Sequence, residues 1–209
     1  MGMFNKMFNL KVFISDGNKK MGAIPSVSLT PVVTCHNCAE CKKRCYARRM
    51  YGLRPILRTQ YDSNTELYKR NPIQYFSDID KVMSATDKFR FHVAGDIIDM
   101  QYMDMMVQIC RKNSKCNVVC FTKAYDIVNE YIKNSHQIPE NLHLIFSVWD
   151  KTPYTNPYNL PTAHVLYKNG TTTAKNPTHL CEGNCFKCFL NGSGCIGLKN
   201  GQSVVFKEH

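Results

Sequence analysis

The residues of this chain that are best suited to chemistry are its cysteines, of which there are 11 among 209 residues. Eight of them form two groups, spaced C-x2-C-x2-C-x3-C and C-x3-C-x2-C-x6-C. The first cysteine group is Cys35, Cys38, Cys41 and Cys45, and the second cysteine group is Cys181, Cys185, Cys188 and Cys195. The other three, Cys110, Cys116 and Cys120, lie in apolar segments, where a free cysteine is commonly a small core residue.

Four thiols in one short loop favour a metal centre over disulfides. Lys6, Lys11 and Asp16 interrupt the first 20 residues, so we expect no signal peptide and no oxidising compartment. Zinc sites usually use two C-x2-C pairs that lie a dozen or more residues apart. The first group instead has the spacing of bacterial ferredoxin clusters, although Tyr46 stands where those have proline. We therefore expect one or two iron–sulphur clusters, of the [4Fe–4S] type, with zinc as the alternative.

The second group contains C-x3-C-x2-C, the spacing with which radical SAM enzymes hold a cluster that has one open iron. Those enzymes carry the motif ahead of most of their barrel, whereas only 21 residues follow Cys188 here. Lys187 also stands where they have an aromatic residue, and Cys195 can supply a fourth ligand. The spacing leaves open whether the two groups hold two clusters or share one.

The chain is strongly basic, with 27 Lys and Arg, 16 Asp and Glu, and a net charge of +11. Residues 1–90 hold 16 of the basic and 7 of the acidic side chains, and residues 41–60 hold seven basic and no acidic ones. We call these seven the basic stripe: Lys42, Lys43, Arg44, Arg48, Arg49, Arg54 and Arg58. Tyr46, Tyr51 and Leu53 lie between them. Cations contact phosphates and aromatic rings stack on unpaired bases, so the stripe predicts nucleic-acid binding without sequence specificity; a solvated helix face is the alternative.

Apolar and β-branched runs alternate with helical periodicity in the second half of the chain. The pattern predicts strands at 89–97, 116–124, 142–150 and 162–168, and helices at 45–51, 55–70, 73–85, 98–113 and 125–135. This alternation is typical of a buried parallel sheet. No run approaches 18 apolar residues, so we expect no membrane span.

We expect a single α/β domain over residues 1–209, with cysteine-rich loops near both ends. The chain is short for a full eight-unit barrel, which takes about 250 residues, so a reduced or incomplete (β/α) TIM-like barrel is the simplest architecture. Its parts are an N-terminal Cys-rich basic loop at 21–60, a βα core at 89–168 and a C-terminal Cys-rich loop at 179–196.

Polar residues occur where several predicted strands end, which is where parallel sheets place functional groups. The candidates for catalysis are His92, Asp96, Lys123 and Ser147. Asp96 or His92 would act as a base, and Lys123 would bind an anionic group.

Several segments of the chain together resemble a bacteriophage and prophage family known by a gene-product number. They are IPSVSL, CYARR, FHVAGD, CFTKAYDIV, FSVW and the terminal C-x3-C-x2-C-x6-C. The Cys-Tyr-Ala ending of the first group is also similar to a second phage family, which is related to radical SAM barrels. The resemblance implies a barrel-like α/β fold, an iron–sulphur centre and action in the host cytoplasm. It also implies that Cys35, Cys41 and Cys45 are ligands in preference to Cys38.

Three functions follow from these features. The first is an iron–sulphur protein that binds RNA or single-stranded DNA through the basic stripe beside the cluster. The second is a radical-SAM-like or other redox enzyme that acts on a small or nucleic-acid substrate. The third is an electron carrier, which needs neither the charge nor the large α/β body. We expect nucleic-acid binding, and the sequence predicts no oligomeric state.

Overall fold

Eight strands form one sheet at the centre of the fold. The computed structural model describes residues 2–175 and 177–208. The strands are β1 (Ile14–Ser15), β2 (Ser26–Val27), β3 (Lys88–Phe91), β4 (Asn117–Thr122), β5 (Leu142–Ser147), β6 (Thr162–Leu166), β7 (His179–Leu180) and β8 (Ser203–Lys207). Their spatial order is β1-β2-β3-β4-β5-β6-β8-β7. Only β1 and β2 pair antiparallel; every other neighbouring pair among these strands is parallel.

Seven helices and two short 3-10 turns accompany these strands in the described residues; the first helix precedes β1, and the others lie between strands. The helices are α1 (Met3–Phe8), α2 (Tyr46–Leu53), α3 (Pro55–Arg70), α4 (Pro72–Ser84), α5 (Met100–Lys112), α6 (Tyr125–Lys133) and α7 (Cys185–Asn191). The 3-10 turns are Cys41–Arg44 and Gly194–Gly197. Pro55 and Pro72 begin α3 and α4 because proline is already set for the first helical position. Asp99 caps α5 by accepting the N–H of Tyr102 at 2.7 Å.

Helices cover one face of the sheet and form the main core. Phe89 and Phe91 of β3 point to this face and pack with apolar side chains of α3, α4, α5 and α6. Cys110, Cys116 and Cys120 are all buried there, which confirms the prediction that they are core residues.

The C-terminal segment covers the opposite face. Val119, Ile145, Ala163 and Val204 are buried on this side, where they pack against the second cysteine group and the segment around it. Strand alternation explains the division, because successive side chains point to opposite faces. The two faces therefore serve different purposes, one as the helix-packed core and the other as the support for the second cysteine group.

The α/β class and the five predicted helices are confirmed, and α2 continues through Gly52 to Leu53. The sheet is mostly parallel and is not closed, since β1 and β7 lie at its two ends. β3 ends at Phe91 instead of continuing to residue 97, because His92 (φ 61°) and Gly95 (φ 83°) turn the chain. The structure adds α1, α7, β1, β7 and β8, which the periodicity does not predict.

Met1, Asn176 and His209 belong to the predicted domain 1–209 but lie outside the described residues. No helix in the described part of the chain combines the length and apolar character that a membrane span requires.

Candidate cysteine centres and basic surface

The carboxyl ends of β3 and β4 are joined by the buried carboxylate of Asp96. It accepts hydrogen bonds from the hydroxyl of Thr122 at 2.6 Å, from the N–H of Lys123 at 2.8 Å and from the N–H of Ile97 at 2.8 Å. Burial raises the pKa of Asp96, while these bonds and the Lys123 charge oppose the increase. Asp96 thus fixes the edge of the sheet where Lys123 emerges.

The first cysteine group lies on this edge. Its loop is held by His36, whose Nε2 lies 3.1 Å from the carbonyl of Ile98, and by Asn37, whose side-chain amide donates to the carbonyl of Lys123 at 2.8 Å. Both anchors reach the segments that follow β3 and β4. The loop therefore lies at the carboxyl edge of parallel strands, where α/β proteins place their functional sites.

Cys41 and Cys45 form a hydrogen-bonded pair at the start of α2. Cys45 caps the helix and accepts the N–H of Arg48 at 3.4 Å. The bond from Cys41 and the helix N–H groups lower the pKa of Cys45 to about 6, although burial opposes this. The same bond and burial raise the pKa of Cys41. The pair therefore favours a Cys45 thiolate that accepts a hydrogen bond from the Cys41 thiol, which keeps its proton.

Cys35 lies near this pair. Burial raises the pKa of Cys35 to about 11, while the N–H of Val32, at 3.3 Å from its sulphur, and the charge of Lys123 oppose the increase. The Lys123 charge also opposes the increase in the pKa of Cys41 and adds to the decrease in that of Cys45, so one lysine acts on all three sulphurs. Cys38 lies close enough to raise the pKa of Cys35.

The second cysteine group is built from β7, α7 and the last 3-10 turn. The N–H of Cys181 donates to the carbonyl of Val205 at 2.9 Å, and the N–H of Cys185 donates to the carbonyl of Lys20 at 3.1 Å. Cys181 and Cys195 pack on the apolar face of the sheet. This group therefore lies over a face of the sheet, whereas the first group lies at its edge.

Burial dominates the electrostatics of the second group. It raises the pKa of Cys185 and Cys188, and it raises the pKa of Cys195 to about 12. The guanidinium of Arg90 opposes the increase at Cys185 and at Cys195. The sulphurs of Cys185 and Cys195 thus share one cation on β3.

Sequence reasoning missed two residues beside the second group, Arg90 and His179. Arg90 alternates with Phe89 and Phe91 on β3, and this period of two was the available clue. A side-chain carbon added at Gly194 would lie 2.6 Å from the sulphur of Cys188 and 3.2 Å from Nε2 of His179. The absence of a side chain at Gly194 therefore leaves room for the sulphur of Cys188 and the imidazole of His179.

The donor set of each group suits a thiolate-bound metal or cluster. Across residues 2–175 and 177–208, no three Cys, His, Asp or Glu side chains converge to hold a metal ion in their present rotamers. In the first group, the free thiols of Cys41 and Cys45 are instead hydrogen-bonded to each other. Closing either group around a metal thus requires side-chain rotation.

The basic stripe begins inside the first cysteine loop and continues along α2 into α3. All seven of its side chains are exposed. Lys43 pairs with Glu40 at 2.9 Å, and Arg44 pairs with Glu208 at 2.6 Å. The other five have no ion-pair partner among the described residues; they are Lys42, Arg48, Arg49, Arg54 and Arg58. Exposed apolar side chains, including Leu53 and Ile56, lie between them.

Of the four candidate catalytic residues, Asp96 and Lys123 are in contact, through the N–H of Lys123, whereas His92 and Ser147 make other contacts. His92 is buried in the aromatic core, where its Nε2 lies 2.9 Å from the hydroxyl of Tyr102. Asp96 is buried beneath the first group. Ser147 is partly buried at the end of β5.

Lys123 lies beside a cleft of about 640 Å³ that borders the basic stripe. Its ammonium is 6.0 Å from the ring centre of Trp149, which lines this cleft together with Arg44 and Tyr167. Of the four candidates, Lys123 is therefore the one placed beside both the cysteines and an opening.

Comparisons with known proteins give one match. No curated protein and no solved structure matches the chain, and nothing found supports the resemblance to radical SAM barrels. The model of the family described as Gene product 88 matches residues 10–192, which include the first group and three cysteines of the second. This confirms the resemblance to a phage family known by its gene-product number. The chain belongs to the Gene product 88 family.

Proposed function

We propose that this protein is an iron–sulphur protein that binds RNA or single-stranded DNA through the basic stripe, largely without regard to sequence. The observation that carries the proposal is the position of Cys45. It is at once a member of the first cysteine group and the cap of α2, the helix that presents Arg48 and Arg49 to solvent. A centre bound at Cys45 would therefore stabilise the start of the binding helix.

The charges of the stripe suit a polyanion. Five of its cations lack an acidic partner in the part of the chain that the structure describes. Exposed cations of this kind release counterions from a phosphate backbone when they bind it. Their number predicts a salt dependence with a slope of about −3.5 for a single strand, since each contact contributes about −0.7.

The apolar side chains of the stripe suit unpaired bases. Tyr46 is 53% exposed, Leu53 is 64% exposed and Ile56 is 74% exposed. A duplex hides its base faces, whereas a single strand offers them to aromatic and apolar side chains. We therefore expect a single strand to bind more tightly than a duplex of equal length.

The residues that would hold the metal are the two cysteine groups. When bound, a [4Fe–4S] cluster can serve as a structural crosslink or exchange one electron. In the first group, Cys35, Cys41 and Cys45 would bind the cluster, and Lys123 would offset part of its negative charge. The loop that contains them would then hold Lys42 and Arg48 at fixed positions.

The binding test uses anaerobically purified protein and fluorescently labelled RNA, single-stranded DNA and duplex DNA of equal length. We compare the wild type with the double variant Arg48→Glu and Arg49→Glu by fluorescence anisotropy over a range of salt concentrations. Each lost phosphate contact reduces the salt slope by about 0.7, and charge reversal adds repulsion, so we expect at least about tenfold weaker binding.

The matched control is the double variant Lys115→Glu and Lys133→Glu. It makes the same charge change at exposed positions that precede β4 and β5, at the opposite edge of the sheet. We expect it to reduce affinity much less. Equal losses in both double variants, or wild-type binding that does not depend on salt, would reject the proposed interface.

Iron, sulphide and zinc contents of the same anaerobic protein test the cofactor. Iron and sulphide in equal amounts support the cluster, and zinc without iron rejects it. If the double variant Arg48→Glu and Arg49→Glu keeps its iron, these arginines act on nucleic-acid binding and not on metal binding.

A second candidate function is a redox enzyme, and the position of the first cysteine group favours it. The group lies at the carboxyl edge of the sheet beside Lys123 and the cleft lined by Trp149. Lys123 would bind an anionic substrate group there, and Asp96 would hold the Lys123 backbone in place. Cleavage of S-adenosylmethionine by the reduced protein would establish this function, and intact S-adenosylmethionine after reduction would reject its radical form.

We further propose that the open sheet is a reduced or incomplete (β/α) barrel and that the protein acts in the host cytoplasm. From β2 to β6 the parallel strands follow chain order, with the main helices on one face, as they do in barrels. Membership of a phage family supports the location. An experimental structure tests the barrel, and fractionation of infected cells tests the location.

A further inference from the structure

An unpartnered cationic donor lies beside the second cysteine group. The Nε atom of Arg90 is buried and has no hydrogen-bond partner among the residues that the structure describes. Its guanidinium is held 5.2 Å from the ring centre of Phe121. Burying a charged donor without an acceptor costs free energy, so we expect the Nε–H of Arg90 to gain an acceptor when the site is filled.

The neighbours of Arg90 point to an anionic, sulphur-containing acceptor. Arg90 lies within electrostatic range of Cys185 and Cys195, and Lys20 acts on Cys185 as well. Lys20 is held 5.3 Å from the ring centre of Phe206, on the same face of the sheet as Phe121. Two cations thus face cysteines that would carry a net negative charge around a metal.

We propose that the second cysteine group is a metal centre separate from the first, and that Arg90 positions it by donating from Nε to one of its sulphur atoms. This inference rests on the metal content of the proposed function, and it adds both the separation of the centres and the role of Arg90.

The separation follows from the elements that support each group. The first group is anchored to the ends of β3 and β4, and Lys123 is the cation common to its Cys35, Cys41 and Cys45. The second group lies over the apolar face, and Arg90 is its cation. Each group therefore has its own support and its own countercharge.

The first test is a metal count. One double variant, Cys41→Ser and Cys45→Ser, removes the first group, and another, Cys185→Ser and Cys188→Ser, removes the second. Each double variant should keep about half of the wild-type metal. Complete loss of metal in either double variant, with the circular dichroism spectrum retained, would overturn the separation. A wild type without any metal would reject the metal centre of the proposed function itself, which is a different result.

The second test isolates Arg90 in the background that lacks the first group. We measure the rate at which a chelator removes the remaining metal. Loss of a residue that hydrogen-bonds a metal ligand typically weakens binding 10- to 100-fold, so Arg90→Gln should release metal at least about tenfold faster. Arg90→Lys keeps the charge but lacks the Nε donor, so it should fall between the wild type and Arg90→Gln.

The control is Lys115→Gln, which removes an exposed cation that lies just before β4. Its loss should leave the release rate within about twofold of the parent, because an exposed charge contributes little. Equal release rates in Arg90→Gln and Lys115→Gln would overturn the role of Arg90 and leave the proposed function standing. A spectroscopic change confined to the second centre would support that role.

Discussion

The guanidinium of Arg44 donates a hydrogen bond of 2.6 Å to the carboxylate of Glu208, although 164 positions separate the two residues. Glu208 also accepts the N–H of Lys168 at 3.0 Å, so the residue after β8 joins the first cysteine loop to the end of β6. The Lys168 bond and the charge of Arg44 lower the pKa of Glu208. One cation of the basic stripe is thus neutralised at neutral pH.

This pairing predicts that two arginines of the stripe contribute unequally to nucleic-acid binding. Arg49 has no acidic partner in residues 2–175 and 177–208, whereas Arg44 has Glu208. Arg49→Gln should reduce the salt slope for a single strand by about 0.7, and Arg44→Gln should change it by less than half as much. Anisotropy titrations at several salt concentrations give both slopes. Equal slopes in the two variants would contradict the assignment.

The second prediction concerns Asp96, which has a structural role whatever the protein binds. Asp96→Ala leaves three donors without this acceptor, two of them buried, at Thr122 and Ile97, and one partly buried, at Lys123. We expect the free energy of unfolding to fall by about 2–4 kcal/mol. Urea unfolding measures it, with Thr122→Val as the milder comparison because it removes one of the three bonds. A loss below 1 kcal/mol in Asp96→Ala would refute this role.

The predicted helices and the parallel sheet were accessible to sequence reasoning because their signals are local. Pro55 and Pro72 begin α3 and α4, and apolar residues at helical spacing continue both. The pairing of β8 with β6 is not local, since its register, such as Ala163 with Val204, depends on residues some 40 positions apart. The helical periodicity does not predict α7 either, because this helix is short and rich in cysteine.

The cysteines of the candidate site could be identified from the sequence, but their arrangement in the fold could not. Spacing identifies the eight cysteines, yet it does not reveal that the first group lies at an edge and the second over a face. His92 was predicted at the edge of the sheet as a possible base, but its positive φ turns the ring into the core. The proposed role of Arg90 beside the second cysteine group could not be predicted, because it depends on which face of the sheet this residue of β3 points to.

Two glycines predict opposite responses to the same substitution. Gly95 has a φ of 83°, and a side-chain carbon there would lie 2.6 Å from Cβ of Leu29 and 2.7 Å from the hydroxyl of Thr34, next to Cys35. Gly95→Ala should destabilise the protein by about 2–4 kcal/mol through strain and overpacking. Gly52 lies within α2 with nothing within 4 Å, so Gly52→Ala should stabilise it by about 0.5–1 kcal/mol. Urea unfolding of both variants measures the difference, and changes of the same sign would contradict it.

The buried imidazole of His92 predicts how stability depends on pH. Burial, with a smaller effect of the Arg90 charge, lowers the pKa of His92 to about 3, whereas histidine in an unfolded chain has a pKa of about 6.5. Between these values the unfolded chain takes up a proton that the folded protein does not. The free energy of unfolding therefore falls as the pH decreases below about 6.5, by up to about 1.4 kcal/mol per pH unit.

Replacing this histidine should remove that dependence. His92→Gln keeps a polar side chain beside the hydroxyl of Tyr102 but does not titrate. The variant starts less stable at neutral pH because its packing is imperfect. Between about pH 7 and pH 4.5, however, the wild type should lose about 2–3 kcal/mol more than the variant, which is the contribution of a single proton over two pH units. Urea unfolding at several pH values measures the two slopes. Parallel slopes would mean that His92 takes up its proton in the folded state, and hence that water reaches the core beside Tyr102.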